Sequence, residues 1–261
     1  MSRNQSKPRQ RLLALDTSTA SLAAAVLEDQ ELLGEIHESV ERNHSVHMHP
    51  VLERVLQQSG VTVADLDGIA VGVGPGSYTG VRMAVTAAKT LAWANDIPIV
   101  GISSLHALAW GGLEQALKRH DEAGAGRHWV IPVMDARRGQ AYTALFEGST
   151  GAAPERLAPD AIRLMQSWVE ELSERLVTLE KDSLPAGIWF TGDTGVHADA
   201  ASRLAEVYGG PVTVLPYELE GQWAGLLGAA RLLRGERDEP HTLVPNYTQL
   251  SEAESNLLRK R

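Results

Sequence analysis

The chain has 261 residues, 43% apolar and 22% charged, an ordinary composition for a folded protein that excludes extensive disorder, collagen-like repeats and a long coiled coil. The absence of cysteine excludes disulfides, thiolate zinc sites, iron–sulfur clusters and a cysteine nucleophile. A net charge of −9 argues against RNA binding through a broad basic surface, and no uncharged apolar stretch approaches the roughly 20 residues of a membrane span. The basic start (Arg3, Lys7, Arg9, Arg11) precedes an apolar run at 12–15 that is too short for a signal-peptide core, so a cytoplasmic location is expected.

In chain order, an apolar run at 11–16 ends in Asp16, the turn-forming Thr17, Ser18 and Thr19 follow, and a second apolar run covers 21–28. This predicts a β-hairpin with Asp16 at its mouth. A strand at 31–38, a helix at 44–58, a strand at 67–73, a helix at 79–95 and a strand at 97–101 complete a first unit. In the helix at 44–58, Val51, Leu52, Val55 and Leu56, with Met48 one turn earlier, form a core stripe. The helix at 79–95 carries Ala84, Ala87, Ala88, Ala92 and Ala94 among Val81, Val85 and Leu91. Small residues let its backbone come close to its own sheet on one side and to another helix on the other, whether within the chain or from a partner. A helix at 105–120 and a polar loop at 121–127 lead to a second unit at about 128–214, followed by a helix near 220–234 and a charged tail.

The second unit repeats the first. A run at 130–134 ends in Asp135, turns through Ala136, Arg137, Arg138 and Gly139, and continues as a strand at 140–146, all 119 residues after the first hairpin. In both copies a glutamate, Glu28 or Glu147, lies twelve positions beyond the acid. Ile69 to Gly76, an apolar strand running into a glycine-rich turn, has a counterpart at the same offset in Ile188 to Gly195. A period this long is no solenoid; it reads as two copies of one α/β unit, each a mixed sheet with packed helices.

The glycine-rich segment from Gly72 to Gly80, with Gly74, Gly76, Ser77 and Thr79, has two readings. Amides at the start of the following helix can hold a phosphate or carboxylate, or the glycines make only a tight strand-to-helix turn. It is neither a Walker A loop nor a G-x-G-x-x-G motif. Asp16, Thr17 and Ser18 likewise either meet a nucleotide phosphate, with Asp16 holding Mg²⁺ through water, or follow ordinary turn chemistry. His44, His47 and His49 lack a third ligand at suitable spacing, so no metal site is assigned. No nucleophile elbow or Ser-His-Asp grouping is present, and no catalytic residue is assigned.

Leu15-Asp-Thr-Ser-Thr19, Arg42-Asn-His-Ser45, Gly74-Pro-Gly-Ser-Tyr-Thr-Gly-Val-Arg82, Asp135-Ala-Arg137 and Thr191-Gly-Asp193, in this order, resemble the bacterial TsaB family, also called YeaZ. The resemblance implies a duplicated actin-like (ribonuclease H-like) fold of two lobes. The first comprises 1–104 with about 215–240, the second 105–214, and 241–261 is a C-terminal tail. It also implies a non-catalytic scaffold subunit of the complex that forms N6-threonylcarbamoyladenosine next to the anticodon of tRNA. The implied partners are a TsaD-like catalytic subunit and a TsaE-like ATPase, with tRNA reached through the complex. ATP or ADP and a metal are expected through the partners, and none is bound tightly by this chain.

Family members dimerise through the two helices of the first lobe. The resemblance therefore marks His44, Met48, Leu52 and Val55, with Val81, Ala84, Val85, Ala88 and Ala92, as a partner interface, and allows a homodimer in isolation. His47 and His49 stand where the family more often has a carboxylate and an aliphatic residue. Where the related catalytic subunit carries a metal-binding histidine pair, this chain has Ser104 and Leu108. The rival expectation is an independent actin-like ATPase or small-molecule kinase that uses Asp16.

Overall fold

A computed structural model describes residues 9–39, 44–120 and 126–248. In the first sheet β1 (Arg11–Asp16), β2 (Ser21–Glu28) and β3 (Glu31–Ser39) form an antiparallel meander. β4 (Gly68–Gly72) and β5 (Ile99–Ile102) join in parallel on the other side of β1, giving the order β3-β2-β1-β4-β5. The second sheet, built from β6 (His128–Asp135), β7 (Gln140–Gly148), β8 (Glu155–Leu164), β9 (Ile188–Gly192) and β10 (Val212–Pro216), has the corresponding order β8-β7-β6-β9-β10. The helices are α1 (His44–Gln58), α2 (Tyr78–Asn95), α3 (Ser104–Arg119), α4 (Met165–Thr178), α5 (Ala198–Ser202), α6 (Leu204–Tyr208) and α7 (Gly221–Leu233).

The repeat read from the sequence is therefore a repeat of architecture. Asp16 and Asp135 close β1 and β6, and β2 and β7 open at Ser21 and Gln140. The third matching pair is displaced within the sheets. Leu13 lies opposite Ile69, whereas Pro132 lies opposite Thr191, three residues beyond Ile188. The strand recurs, but its register has slid.

Five layers result. α1 and α2 cover the outer face of the first sheet, enclosing a core that includes Leu13, Leu15, Val26, Ile69 and Val71. α4 to α6 cover the outer face of the second sheet around Ile131, Leu145, Trp168 and Phe190. Between the sheets lie α3 and α7, and here the chain crosses over. α3 follows β5 yet packs on β6, β7 and β9, while α7 follows β10 yet packs on β1, β2 and β4. Coverage on both faces explains why β1, β2 and β4 read as unbroken apolar runs rather than alternating ones. The approach of α7 is close: a Cβ on Gly228 would stand 2.4 Å from the Cβ of Ala70.

Local chemistry sets the boundaries. Ile97 N–H donates to Ala92 O and Pro98 has no N–H to give, so β5 begins at Ile99 rather than at 97. β8 is the edge of its sheet, where Pro159 removes no ladder donor that a neighbour needs. Beyond α7 the chain returns along the free edge of β5. Asp238 N–H donates to Ile99 O at 2.8 Å, Gly101 N–H donates to Asp238 Oδ2 at 2.7 Å, and Asn246 N–H donates to Val73 O at 2.7 Å. The expected tail thus begins as a docked strap through residue 248, covering an edge that would otherwise be open to strand pairing. Its remainder, 249–261, lies outside the described residues. Among the described residues no helix is long and apolar enough to cross a membrane.

Candidate functional site

The first hairpin and the glycine-rich turn meet, and Asp16 stands at their centre. The turn after β1 directs Ser18 N–H to Asp16 Oδ1 at 2.7 Å, and the first residue of α3, Ser104, donates its hydroxyl to Asp16 Oδ2 at 2.6 Å. Ser104 is tied in turn to the glycine-rich turn: its Oγ accepts from Gly74 N–H at 3.1 Å and its N–H donates to Gly74 O at 3.0 Å. Gly72 leaves the space that the carboxylate fills, since a Cβ there would lie 1.8 Å from Asp16 Oδ2. Asp16 is 1% exposed, and burial pushes its carboxyl above the ordinary range against the opposing hydrogen bonds from Ser104 and Ser18.

The turn lies directly on the hairpin. Ser77 N–H donates to Ser18 O at 2.7 Å, and Thr17 Oγ1 donates to Gly80 O at 2.6 Å. Gly76 has φ +156°, and a Cβ on it would stand 2.3 Å from Ser18 O. Ser77 caps α2, its Oγ accepting from Gly80 N–H at 3.3 Å. The structure therefore brings together Asp16, Thr17, Ser18, Gly74, Gly76, Ser77 and Thr79. Asp16, Thr17, Ser18 and Gly74 are buried against the chain itself, while Ser77 and Thr79 are exposed on the rim. The result is a tightly packed knot that leaves Ser77 and Thr79, at the start of α2, on the surface.

The second hairpin is built differently. Asp135, half-buried, accepts from Arg137 N–H at 3.1 Å and faces His197 Nε2 at 3.0 Å. Arg137 and Arg138 form an exposed tip with left-handed φ of 66° and 56°. The sequence pointed to neither Ser104 as the partner of Asp16 nor His197 as the partner of Asp135. Each is remote in the chain from the acid that it meets and carries no local motif.

The expected partner-interface residues need a correction. Met48, Leu52, Val55, Val81, Ala84, Val85, Ala88 and Ala92 are all buried, at 0–5% exposure, in the core between α1, α2 and the first sheet. They hold the helices to the sheet and are not available to a partner. The outward positions of the same helices include Glu53, Tyr78, Arg82 and Trp93, with Trp93 66% and Tyr78 53% exposed. The side chain of His44 lies outside the described residues, as do Arg42 and Asn43; among the described residues His47 is only 4.0 Å from Glu38, and no three His, Asp or Glu groups come together as a metal-ligand set. Ser104 and Leu108, at the positions of the catalytic relative's histidine pair, are buried at 0% and 1%.

Two sheets of the same strand order, each continued by a helix that crosses to the other, define a duplicated actin-like protein whose first-lobe hairpin is sealed. The model of the TsaD family, tRNA N6-adenosine threonylcarbamoyltransferase, matches residues 23–192. The TsaB protein of tRNA threonylcarbamoyladenosine biosynthesis from Bacillus subtilis is 34% identical over 96% of this chain and 99% of its own length. The chain belongs to the TsaB (YeaZ) family of tRNA threonylcarbamoyladenosine biosynthesis proteins. The Escherichia coli TsaB is 30% identical over 72% of this chain and 73% of its own. A crystal structure of a Pseudomonas aeruginosa protein described as similar to peptidase YeaZ superposes with a TM-score of 0.69 at 26% identity, covering 92% of this chain and all of that one.

Proposed function

We propose that this chain is a non-catalytic scaffold subunit of the complex that forms N6-threonylcarbamoyladenosine next to the anticodon of tRNA, and that it binds and activates a TsaD-like catalytic subunit. The observation that carries this reading is the sealed hairpin. Asp16 uses both carboxylate oxygens on Ser18 and Ser104, and Gly76 lies on Ser18, so an acid that could anchor a hydrated cation is occupied by packing. On this reading nucleotide and metal come with the TsaD-like and TsaE-like partners, and tRNA meets the assembled complex.

The docking face on this reading is the outward side of α1 and α2, where Tyr78, Arg82 and Trp93 present aromatic and cationic groups of the kind enriched at interfaces. In the absence of partner, two copies of the chain use the same face on each other. The test compares wild type with the double variant Arg82→Glu, Trp93→Glu for co-purification with the cognate TsaD-like subunit and for tRNA modification in the reconstituted system. Complex and modification are expected to disappear together while the variant melts as wild type does. Normal binding and modification by the variant would show that the face is wrongly assigned. Rapid ATP hydrolysis by the isolated chain, abolished by Asp16→Ala, would replace the scaffold with the ATPase or kinase reading.

A further inference from the structure

The two hairpins differ most at their tips. Thr17 and Ser18 are buried against the chain, whereas Arg137, Arg138 and Gly139 stand in solvent. Gln140 N–H donates to Arg137 O at 3.0 Å and closes a tight turn on Arg138 and Gly139, whose φ values of 56° and 73° fit a type I′ turn. Arg137 precedes them at φ 66°. Left-handed backbone suits glycine and asparagine, and an arginine there gains no local hydrogen bond in return.

The backbone of the tip is nevertheless anchored from several sides. Asp135 Oδ1 accepts from Arg137 N–H at 3.1 Å and meets Nε2 of the buried His197 at 3.0 Å. Ala136 N–H donates to Gln140 O at 2.9 Å, and Met165 N–H donates to Gly139 O at 3.0 Å. The two side chains are not anchored. Other arginines of this acidic chain are matched, Arg11 with Glu28, Arg127 with Glu147, Arg156 with Asp160 and Arg231 with Glu236. Among the described residues neither Arg137 nor Arg138 forms an ion pair.

Two adjacent, unmatched guanidiniums on a fixed backbone present planar, permanently charged donors, the geometry that pairs with the oxygens of a phosphate. The net charge of −9 does not oppose such a contact, because salt screens charges beyond about 8 Å at physiological strength and leaves the outcome to the local groups. The tip belongs to the second sheet, while α1 and α2 cover the first, so a subunit seated on their outward side does not draw on these residues.

We propose that Arg137 and Arg138 dock on the phosphate backbone of tRNA in the assembled complex. This rests on the scaffold reading above and adds that the scaffold itself holds RNA. Contacts to phosphates fix the position of the RNA without reading its sequence.

The test is tRNA binding by the complex reconstituted with the TsaD-like subunit, measured by fluorescence anisotropy from about 50 to about 200 mM KCl. Wild type is compared with the double variants Arg137→Asn, Arg138→Asn and Arg137→Lys, Arg138→Lys. Asparagine accepts the left-handed backbone, so the first variant keeps the turn and loses the charge. It is expected to melt and assemble as wild type does and to bind tRNA at least about fivefold more weakly at about 100 mM KCl, with a salt slope flatter by about 1 to 2. The lysine variant is expected to keep the wild-type slope. Unchanged affinity and slope in the assembled asparagine variant would overturn the proposal and leave the scaffold reading standing. Loss of assembly in that variant would also overturn it, since the tip would then meet protein and not RNA. Failure of the wild-type chain to assemble with the TsaD-like subunit would overturn both readings.

Discussion

Asp16 and Ser104 are separated by 88 residues in the chain and by 2.6 Å in space, and their hydrogen bond joins the mouth of the first hairpin to the first turn of α3. Ser104 also takes the amide of Gly74, so one hydroxyl fastens three segments. Ser104→Ala strands a buried carboxylate oxygen and a buried N–H together. The expected loss is about 1–3 kcal/mol, read from urea unfolding at neutral pH.

The raised pKa of Asp16 has a definite sign. The folded state holds this proton more tightly than the unfolded state, so the contribution of Asp16 to stability is fully present below the unfolded value near 3.8 and is lost as pH rises through the folded value. Asp16→Asn removes the titration and keeps an amide of the same shape. Its stability relative to wild type is expected to improve as pH rises above 4 and to level off once pH has passed the folded value. A difference that stays constant at every pH above 4 would show that Asp16 titrates normally.

His106 works in the opposite direction. Burial lowers its pKa from 6.5 to about 4, against the opposing hydrogen bond to Pro154 O at 2.8 Å. The ring stacks on Phe146 with centroids 4.8 Å apart. The unfolded chain takes up a proton that the folded one refuses, so stability is full above pH 6.5 and falls by on the order of 3 kcal/mol as pH drops to 4. In His106→Gln that part of the acid sensitivity should be missing, which paired denaturant titrations at pH 7 and pH 4.5 would reveal.

Two glycines provide a controlled comparison. Gly76→Ala drives a Cβ to 2.3 Å from Ser18 O, a clash with backbone that rotation of a side chain cannot relieve. Gly60→Ala meets nothing within 4 Å and suffers only from its φ of +64°. The first is expected to cost about 2 kcal/mol or more, the second about 1 kcal/mol. Equal costs would mean that the turn does not rest on the hairpin as described.

The first sheet was legible in the sequence because burial on both faces writes a strand as a continuous apolar run, and Asp16 and Asp135 punctuated the two hairpins at matching positions. β8 was not, since Arg156, Pro159, Asp160 and Arg163 on a sheet edge leave no such run. The alanines of α2 showed that something comes close to the helix but not what. Spacing alone suits a sheet or a partner equally, and the structure assigns Ala84, Ala88 and Ala92 to the sheet side. Ala88→Glu would therefore destroy the core instead of probing an interface. The knot around Asp16 was half legible: Thr17, Ser18 and the glycines stood out as turn formers, whereas Ser104 belongs to a helix start with its own capping serine, Ser103, and nothing nearby in the sequence ties it to Asp16.

The crossing of α3 and α7 bears on how the molecule can be made and divided. A ribosome that has released β1 to β5 has not yet supplied the helix that roofs their inner face, because α7 comes after the last strand of the other sheet. A nick or stop codon between α3 and β6 would leave an N-terminal fragment that carries a roof for a sheet it lacks and lacks the roof for the sheet it carries. The two halves descend from one pattern, but each is finished by the other's helix, so neither survives as a separate fold.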